Sequence, residues 1–329
     1  MAVQGIGRRT LLATLGAALP AWPAWAQRAT GFPERAVRIV VPYSVGVGPD
    51  VVARSVAERL AQQWAQPVLV DNKPGASGIV AFNEVRRTVP DGHTLFLADT
   101  ATLAVNPLLH ASLPYDPVRD LVPLTLLFQA TFVLWVGGKN KITDVAALLE
   151  AARAAPDSIS YASLGNGHPS HLAIETFARA ADLKMLHVPF KDVGAMLGAV
   201  VKGDVDMTVL SVNTVAGLMT SGRLRPLAVA ARQRLAAHPD IPTLVEAGGP
   251  AIEMHPWAAL MGVTGTPSAV TERLQHDVLA VLGLAEVRSR AALAGFDITP
   301  STPQAVRERM QADRALYAPL VSEGRVSQF

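Results

Sequence analysis

Short apolar runs alternate along the chain with longer stretches in which apolar residues recur every three or four positions. The runs at 37–41, 68–70, 94–98, 132–136, 159–162, 186–188, 206–210 and 227–230 predict strands. The periodic stretches at 49–64, 144–154, 171–181, 193–202, 212–220, 267–282, 284–294 and 303–323 predict helices. Thr266-Pro267 and Thr302-Pro303 read as an N-cap followed by proline in the first turn, and Gly324 as a helix stop. Alternation of this kind predicts an α/β fold with mostly parallel sheets.

Two glycine turns stand out against this pattern. Tyr43-Ser44-Val45-Gly46-Val47-Gly48-Pro49-Asp50 follows the first strand, and Ser163-Leu164-Gly165-Asn166-Gly167-His168-Pro169-Ser170 follows the fifth. Each reads as strand, glycine turn, helix N-terminus, where unpaired N–H groups and a partial positive charge suit an anion. Two such ends, one in each half, predict a clamp on a small anion. Parallel α/β sheets place ligands beyond the carboxyl ends of strands, where both turns fall.

Other readings of these residues are weaker. As a dinucleotide fingerprint the first turn lacks its third glycine, since Val51 stands there, and Pro49 removes an N–H. Asp50 complements the helix dipole, or else orients the loop or accepts from a ligand. His168 and His171 have no third metal ligand nearby. Ser163 lacks a Gly-x-Ser-x-Gly context and an assigned base, although His168 or His171 would be the candidate bases of a hydrolase. Lys191 is either a cleft residue or a solvated lysine. The tryptophans Trp64, Trp135 and Trp257 read as core.

Charge and composition narrow the class. Arg8-Arg9, an apolar stretch and Ala24-Trp25-Ala26 predict an export signal cleaved after Ala26; Gly7-Arg8-Arg9-Thr10-Leu11-Leu12 also resembles a twin-arginine signal. Residues 1–26 hold two of the 29 basic side chains and none of the 27 acidic ones, so the remaining 303 residues carry no net charge. That argues against nucleic acid as a partner. No cysteine is present, which excludes thiolate chemistry and a lipidated N-terminus.

The order and spacing of several segments resemble the Bug-type periplasmic receptors, the substrate-binding family of tripartite tricarboxylate transporters. They include Val40-Val41-Pro42-Tyr43, the stretch from Gln66 to Ala76, Pro90-Asp91-Gly92-His93-Thr94-Leu95, Leu113-Pro114-Tyr115-Asp116-Pro117, Val188-Pro189-Phe190-Lys191 and Pro239-Asp240-Ile241-Pro242-Thr243. The resemblance runs from Phe32 to about Glu323. It implies a two-domain Venus-flytrap binding protein without catalysis or cofactor, monomeric and periplasmic, that passes a small carboxylate to membrane transporter subunits. A ligand sensor without transport is the alternative, and a periplasmic serine hydrolase the more distant one.

The implied division is a signal peptide at 1–26, a discontinuous domain 1 at 27–126 and 250–329, and domain 2 at 127–249. The implied ligand residues are Tyr43, Ser44, Val45, Gly46, Gly48 and Asp50 from the first loop, and Ser163, Gly165, Asn166, Gly167 and His168 from the second. Thr100, Thr102, Lys191 and Ser211 are the implied wall. His168-Pro169 and Asp192 depart from the family pattern, as does Leu210-Ser211, which leaves a ligand amine without an acidic partner. His168 facing an anion would gain a proton on binding, and affinity would then fall from about pH 5.5 to 8.

Overall fold

Among the described residues, nine strands and eight α-helices alternate before the chain doubles back through two further strands and three helices. A computed structural model describes residues 1–2 and 31–329; the export signal and its cleavage site lie outside the described residues. Pro33–Phe329 form one unit, built on two sheets.

The elements in chain order are β1 (Val37–Val41), α1 (Gly48–Trp64), β2 (Val68–Asn72), α2 (Ile79–Val85), β3 (Thr94–Asp99), α3 (Asn106–Leu109), α4 (Pro117–Asp120) and β4 (Leu121–Gln129). Then come β5 (Val133–Gly137), α5 (Val145–Ala154), β6 (Ser160–Ser163), α6 (Pro169–Ala180), β7 (Leu186–Pro189), α7 (Val193–Lys202), β8 (Met207–Leu210), α8 (Val212–Thr220) and β9 (Leu224–Val229). The chain ends with β10 (Trp257–Val263), α9 (Ser268–Leu282), α10 (Ala285–Leu293), β11 (Asp297–Ile298) and α11 (Pro303–Ser322).

The first sheet has the order β11-β4-β10-β3-β1-β2 and the second β7-β6-β8-β5-β9. The α/β class holds, but the sheets are mixed rather than mostly parallel. β1 pairs in parallel with β2 and β3, and β6 with β7 and β8. The strands that carry the chain between sheets, β4, β5 and β10, pair antiparallel. Strands joined by a crossover helix run parallel, whereas β4 and β10 are not, so nothing imposes that direction on them.

β4 and β10 were not among the strands expected from the pattern. Pro123 interrupts β4 and reads as a breaker; in the sheet it lies opposite Met261, where the register shifts and no ladder donor is needed. Trp257–Val263 is wholly buried, so its apolar run has no alternation to separate strand from helix.

Both sheets bury continuous apolar runs. Val37, Ile39, Val40 and Val41 of β1 are sealed, and the second half packs Leu134, Tyr161, Phe177 and Val209. The three tryptophans singled out in the sequence are buried, with indole N–H groups on Asp277, the Leu210 carbonyl and Asp313 respectively. Thr302 caps α11 through the Ala305 N–H, and Gly324 ends it at φ +71°. Thr266 instead donates to the Val263 carbonyl, and Pro267 takes the cap position of α9.

Candidate functional site

The first glycine loop leaves the carboxyl end of β1 and enters the 17-residue α1. Ser44 to Val47 are exposed, with Val45 at 71% and Val47 at 41%. One inward side chain shapes the loop. Asp50, 1% exposed, accepts from the Gly46 N–H at 2.8 Å, from Arg54 Nε at 2.9 Å and from Asn72 Nδ2 at 2.8 Å. Burial alone would raise its pKa, but these hydrogen bonds outweigh burial and hold the carboxyl below the usual range. Asp50 therefore orients the loop, the sharper of its two roles, and its oxygens are occupied.

Gly46 sits at φ +85° with open space where a side chain would project, so its backbone conformation is what demands glycine. Gly48 is required for a different reason: a Cβ there would stand 2.6 Å from Phe296 Cε2. Among the described residues no acceptor meets the N–H groups of Val45 or Gly48, or the Ser44 hydroxyl.

Tyr43 turns back from this loop. Its hydroxyl donates to Asp99, and burial followed by that carboxylate pushes its pKa well up. Thr100 and Thr102 are sealed at 1% and 0% exposure. Thr100 Oγ1 accepts from the Trp257 N–H at 3.1 Å, while Thr102 closes a turn with Asp99 and packs over Gly78. Neither is a wall residue. Their place just after β3 suggested a rim, but the Thr100 hydroxyl binds the Trp257 backbone on β10 and the Thr102 hydroxyl binds the turn that ends β3.

The second loop leaves β6 and enters α6 with all but one of its donors, the Asn166 N–H, already satisfied among the described residues. Leu164 N–H meets Ser170 Oγ, Gly165 N–H meets Ser163 Oγ and Gly167 N–H meets His171 Nδ1, each at 3.1 Å. His168 is the N-cap of α6: its Nδ1 accepts from the Ser170 N–H at 3.1 Å. Burial pushes the His168 pKa down to about 4, so the imidazole is neutral without a ligand. His168 thus performs the capping that a serine performs elsewhere.

The loop is also docked. A Cβ on Gly167, at φ +72°, would collide with Leu109 Cδ1, and Asn166 Nδ2 donates to the Ser327 carbonyl at 2.8 Å. Beneath the loop, Ser163 is fully buried and its Oγ lies 2.6 Å from His187 Nε2. His187 stacks on His171 at 3.9 Å and on Tyr161 at 5.0 Å. Burial, then the neighbouring His187 and His168, push His171 down to about 3; burial also lowers His187. His187 was missed in the sequence. It sits on the same strand face that β7 turns toward Ser163, a signal available from alternation alone.

Lys191 is exposed and makes no ion pair among the described residues, while its neighbour Asp192 caps α7 through the Ala195 N–H at 2.8 Å. Ser211 is the wall candidate that does line a cleft. That cleft has a volume of about 430 Å³ and lies between the two sheets, with Thr131, Ser211 and Val212 on one side and Gly295, Phe296 and Asp297 on the other. Asn213 Nδ2 donates to the Ala292 carbonyl across its edge, and a Cβ on Gly295, at φ +91°, would lie 2.9 Å from Ser211 Oγ. The first loop reaches the cleft through the Gly48–Phe296 contact. Nothing in the sequence around Phe296 marked it. Among the described residues no cluster of ligating side chains could hold a metal ion.

Residues 52–323 match the family model described as the tripartite tricarboxylate transporter family receptor. The chain belongs to this receptor family. Its members are solute-binding receptors rather than enzymes. One relative, the UPF0065 protein in the tcbD–tcbE intergenic region of Pseudomonas sp. strain P51, is 31% identical over 99% of this chain and 97% of its own. A structure of an R. palustris receptor with adipate superposes with a TM-score of 0.80 at 28% identity, covering 91% of this chain and all of that one. MatC from Rhodopseudomonas palustris with bound malate gives 0.75 at 27% identity over 88% and 99% of the two chains. Among the described residues of this receptor no helix is long and apolar enough to cross a membrane.

Proposed function

We propose that this receptor is exported to the periplasm, captures a small carboxylate and presents it to the membrane subunits of a tripartite tricarboxylate-type transporter. One observation carries the reading: the N–H groups of Val45 and Gly48 at the N-terminus of α1 meet no acceptor among the described residues. They offer directed donors and a helix dipole to an anion without adding a charge that must be neutralised when the site is empty. The structural relatives solved with adipate and malate bind ligands of this chemistry.

The connections at 130–132 and 230–256, between the two sheets, would serve as the hinge, with domains divided close to the 126 and 250 expected. Closure over a ligand would then be the form that a transporter reads. A sensor partner in place of a transporter would require the same receptor; loss of uptake on deletion separates the two.

The Ser163–His187 pair is the one observation that favours a hydrolase. Against it, Ser163 is fully buried, and among the described residues no carboxylate meets the other nitrogen of His187. Calorimetry against a carboxylate panel tests the proposal: binding at roughly micromolar Kd or tighter, about −8 kcal/mol, is expected. Ester or amide turnover that disappears in Ser163→Ala would overturn it.

A further inference from the structure

The halves built on the two sheets touch along two edges, and the two contacts are made differently. Along one edge α6, from the second half, lies against α11 and the C-terminal tail, from the first. Leu172 of α6 is sealed in one apolar cluster with Val105, Leu109, Leu320 and Val326. Polar contacts flank that cluster. Arg325 pairs with Glu175 at 3.2 Å and donates to the Leu183 carbonyl at 3.2 Å, and Arg179 meets Glu323 at 2.8 Å. Glu175 is 6% exposed and also accepts from the Tyr161 hydroxyl. Parting the halves here would wet five sealed aliphatic side chains and take a nearly buried carboxylate from its cation. The second loop rides on the same seam, through Asn166 on the Ser327 carbonyl and Gly167 against Leu109.

The seam runs on into the connections between the sheets. An indentation of about 10 Å³ is lined by Ala173 and Thr176 of α6, by Leu316 and Tyr317 of α11, and by Phe132 and His255 of the two connections. That is room for about one water molecule. Seam and connections therefore form one packed line along which the halves can turn. The other edge is held by less. Asn213 Nδ2 donates to the Ala292 carbonyl, the one side-chain hydrogen bond across it among the described residues, and both residues are exposed. Beside it Gly295 approaches Ser211, and the cleft of about 430 Å³ keeps the halves apart. An exposed hydrogen bond is exchanged for water at little net cost, whereas the seam must give up buried apolar surface. The weaker edge is also the one near the first loop, since Gly48 packs against Phe296, the residue after Gly295.

We propose that the receptor opens on one side only: the seam of α6 with α11 and the C-terminal tail stays shut as a third part of the hinge, and the Asn213–Ala292 edge is the mouth through which ligand enters and leaves. The proposal rests on ligand capture between the halves. The chain has no cysteine, so engineered pairs are its only thiols. Arg179→Cys with Glu323→Cys spans the seam, and Asn213→Cys with Ala292→Cys spans the mouth. Melting temperatures of both double variants report folding. Spin labels on each pair, in the ligand-free receptor, read the motion by their dipolar line broadening. The seam pair should stay broadened while the mouth pair narrows. Narrowing of the seam pair, or a mouth pair that stays broadened, overturns the proposal. A short bismaleimide across each pair then reads the consequence, by calorimetry against a panel of adipate, malate, hexanoate and benzoate. With the mouth linked no heat of binding should appear; with the seam linked Kd should stay within about two-fold of the unlinked variant. Binding that survives a linked mouth, or is lost with a linked seam, also overturns the proposal. Binding of no carboxylate by the unlinked receptor overturns the receptor reading, while the spin labels still decide which edge opens.

Discussion

The two glycine loops share a sequence pattern and differ in what their backbone does. Both follow a buried strand, both place glycines at positive φ and both open a helix. In the first, one aspartate folds back and the N–H groups of Val45 and Gly48 meet no acceptor among the described residues. In the second, Ser163, His168, Ser170 and His171 fold back together and take almost every donor. A helix N-terminus binds an anion only where its own side chains have not already capped it. The first loop is thus the donor surface, and the second is a packed shoulder fixed to Leu109 and Ser327.

Valine in place of one glycine from each loop breaks this contrast most strongly. Gly167→Val combines a left-handed backbone with a collision against Leu109, so strain and overpacking together should cost about 3 kcal/mol or more. Thermal melting should fall by roughly 6–12 °C. Gly46→Val meets no atom within 4 Å and carries only backbone strain, about 1–2 kcal/mol. Its melting temperature should move by a few degrees at most while affinity drops at least ten-fold. If instead Gly167→Val melts normally and loses the ligand, the second loop is a donor surface after all.

Asp50→Asn attacks the first loop from inside. It removes charge-assisted hydrogen bonds to Arg54 and Gly46, worth about 1.5–3 kcal/mol. Because the folded carboxyl titrates below its unfolded value, its contribution is complete above about pH 4 and is lost as pH falls through the lower, folded pKa. Chemical denaturation at pH 7 and pH 3 should therefore separate wild type from Asp50→Asn widely at the first pH and less at the second. Equal separation at both would mean that Asp50 acts by shape alone.

Much of this molecule was legible before any coordinates, and the failures share a cause. Strands flanked by polar turns, such as β1, β6 and β8, stood where the apolar runs stood. The sealed β10 did not, because full burial on both faces erases the alternation that identifies a strand, and β4 did not, because Pro123 interrupts it. The loops were found through their glycines. Their different roles were not, because the direction of His168 and Asp50 depends on the helix that follows each turn. Thr100 and Thr102 were misread for the same reason: short hydroxyl side chains after a strand bind the nearest backbone as readily as a ligand. Phe296 reaches its partners from distant sequence, and no local pattern announces it.

The histidines under the second loop sharpen the comparison through pH. His168 and His171 titrate near 4 and 3, and His187 is also lowered, each because burial disfavours the charged form. An unfolded histidine takes up its proton near pH 6.5, before the folded one does. Stability is therefore complete above about pH 6.5 and declines as pH falls toward 4, by up to about 1.4 kcal/mol per pH unit for each histidine involved. His168→Asn keeps a cap and removes one titrating group, so its decline over that range should be shallower than in wild type. Ligand affinity, by contrast, should be flat from pH 5.5 to 8, where His168 stays neutral. An affinity that rises with acidity in wild type but not in His168→Asn would restore the imidazole to the anion site.

The smallest expected effect belongs to Lys191. A lysine near the end of β7 is the natural candidate for a charged clamp, and an exposed side chain without an ion pair gives up little when removed. If the anion is held by the first loop's neutral donors, Lys191 contributes only a long-range, salt-screened attraction. Lys191→Ala should leave the melting temperature unchanged and alter affinity by less than about three-fold at 0.15 M salt, where charges beyond about 8 Å are largely screened. The residual difference should shrink further at 1 M salt, in contrast to Gly46→Val, whose loss of donor geometry salt does not restore. A ten-fold loss in Lys191→Ala that survives high salt would put the lysine in direct contact with the ligand and move the anion from the first loop toward the second.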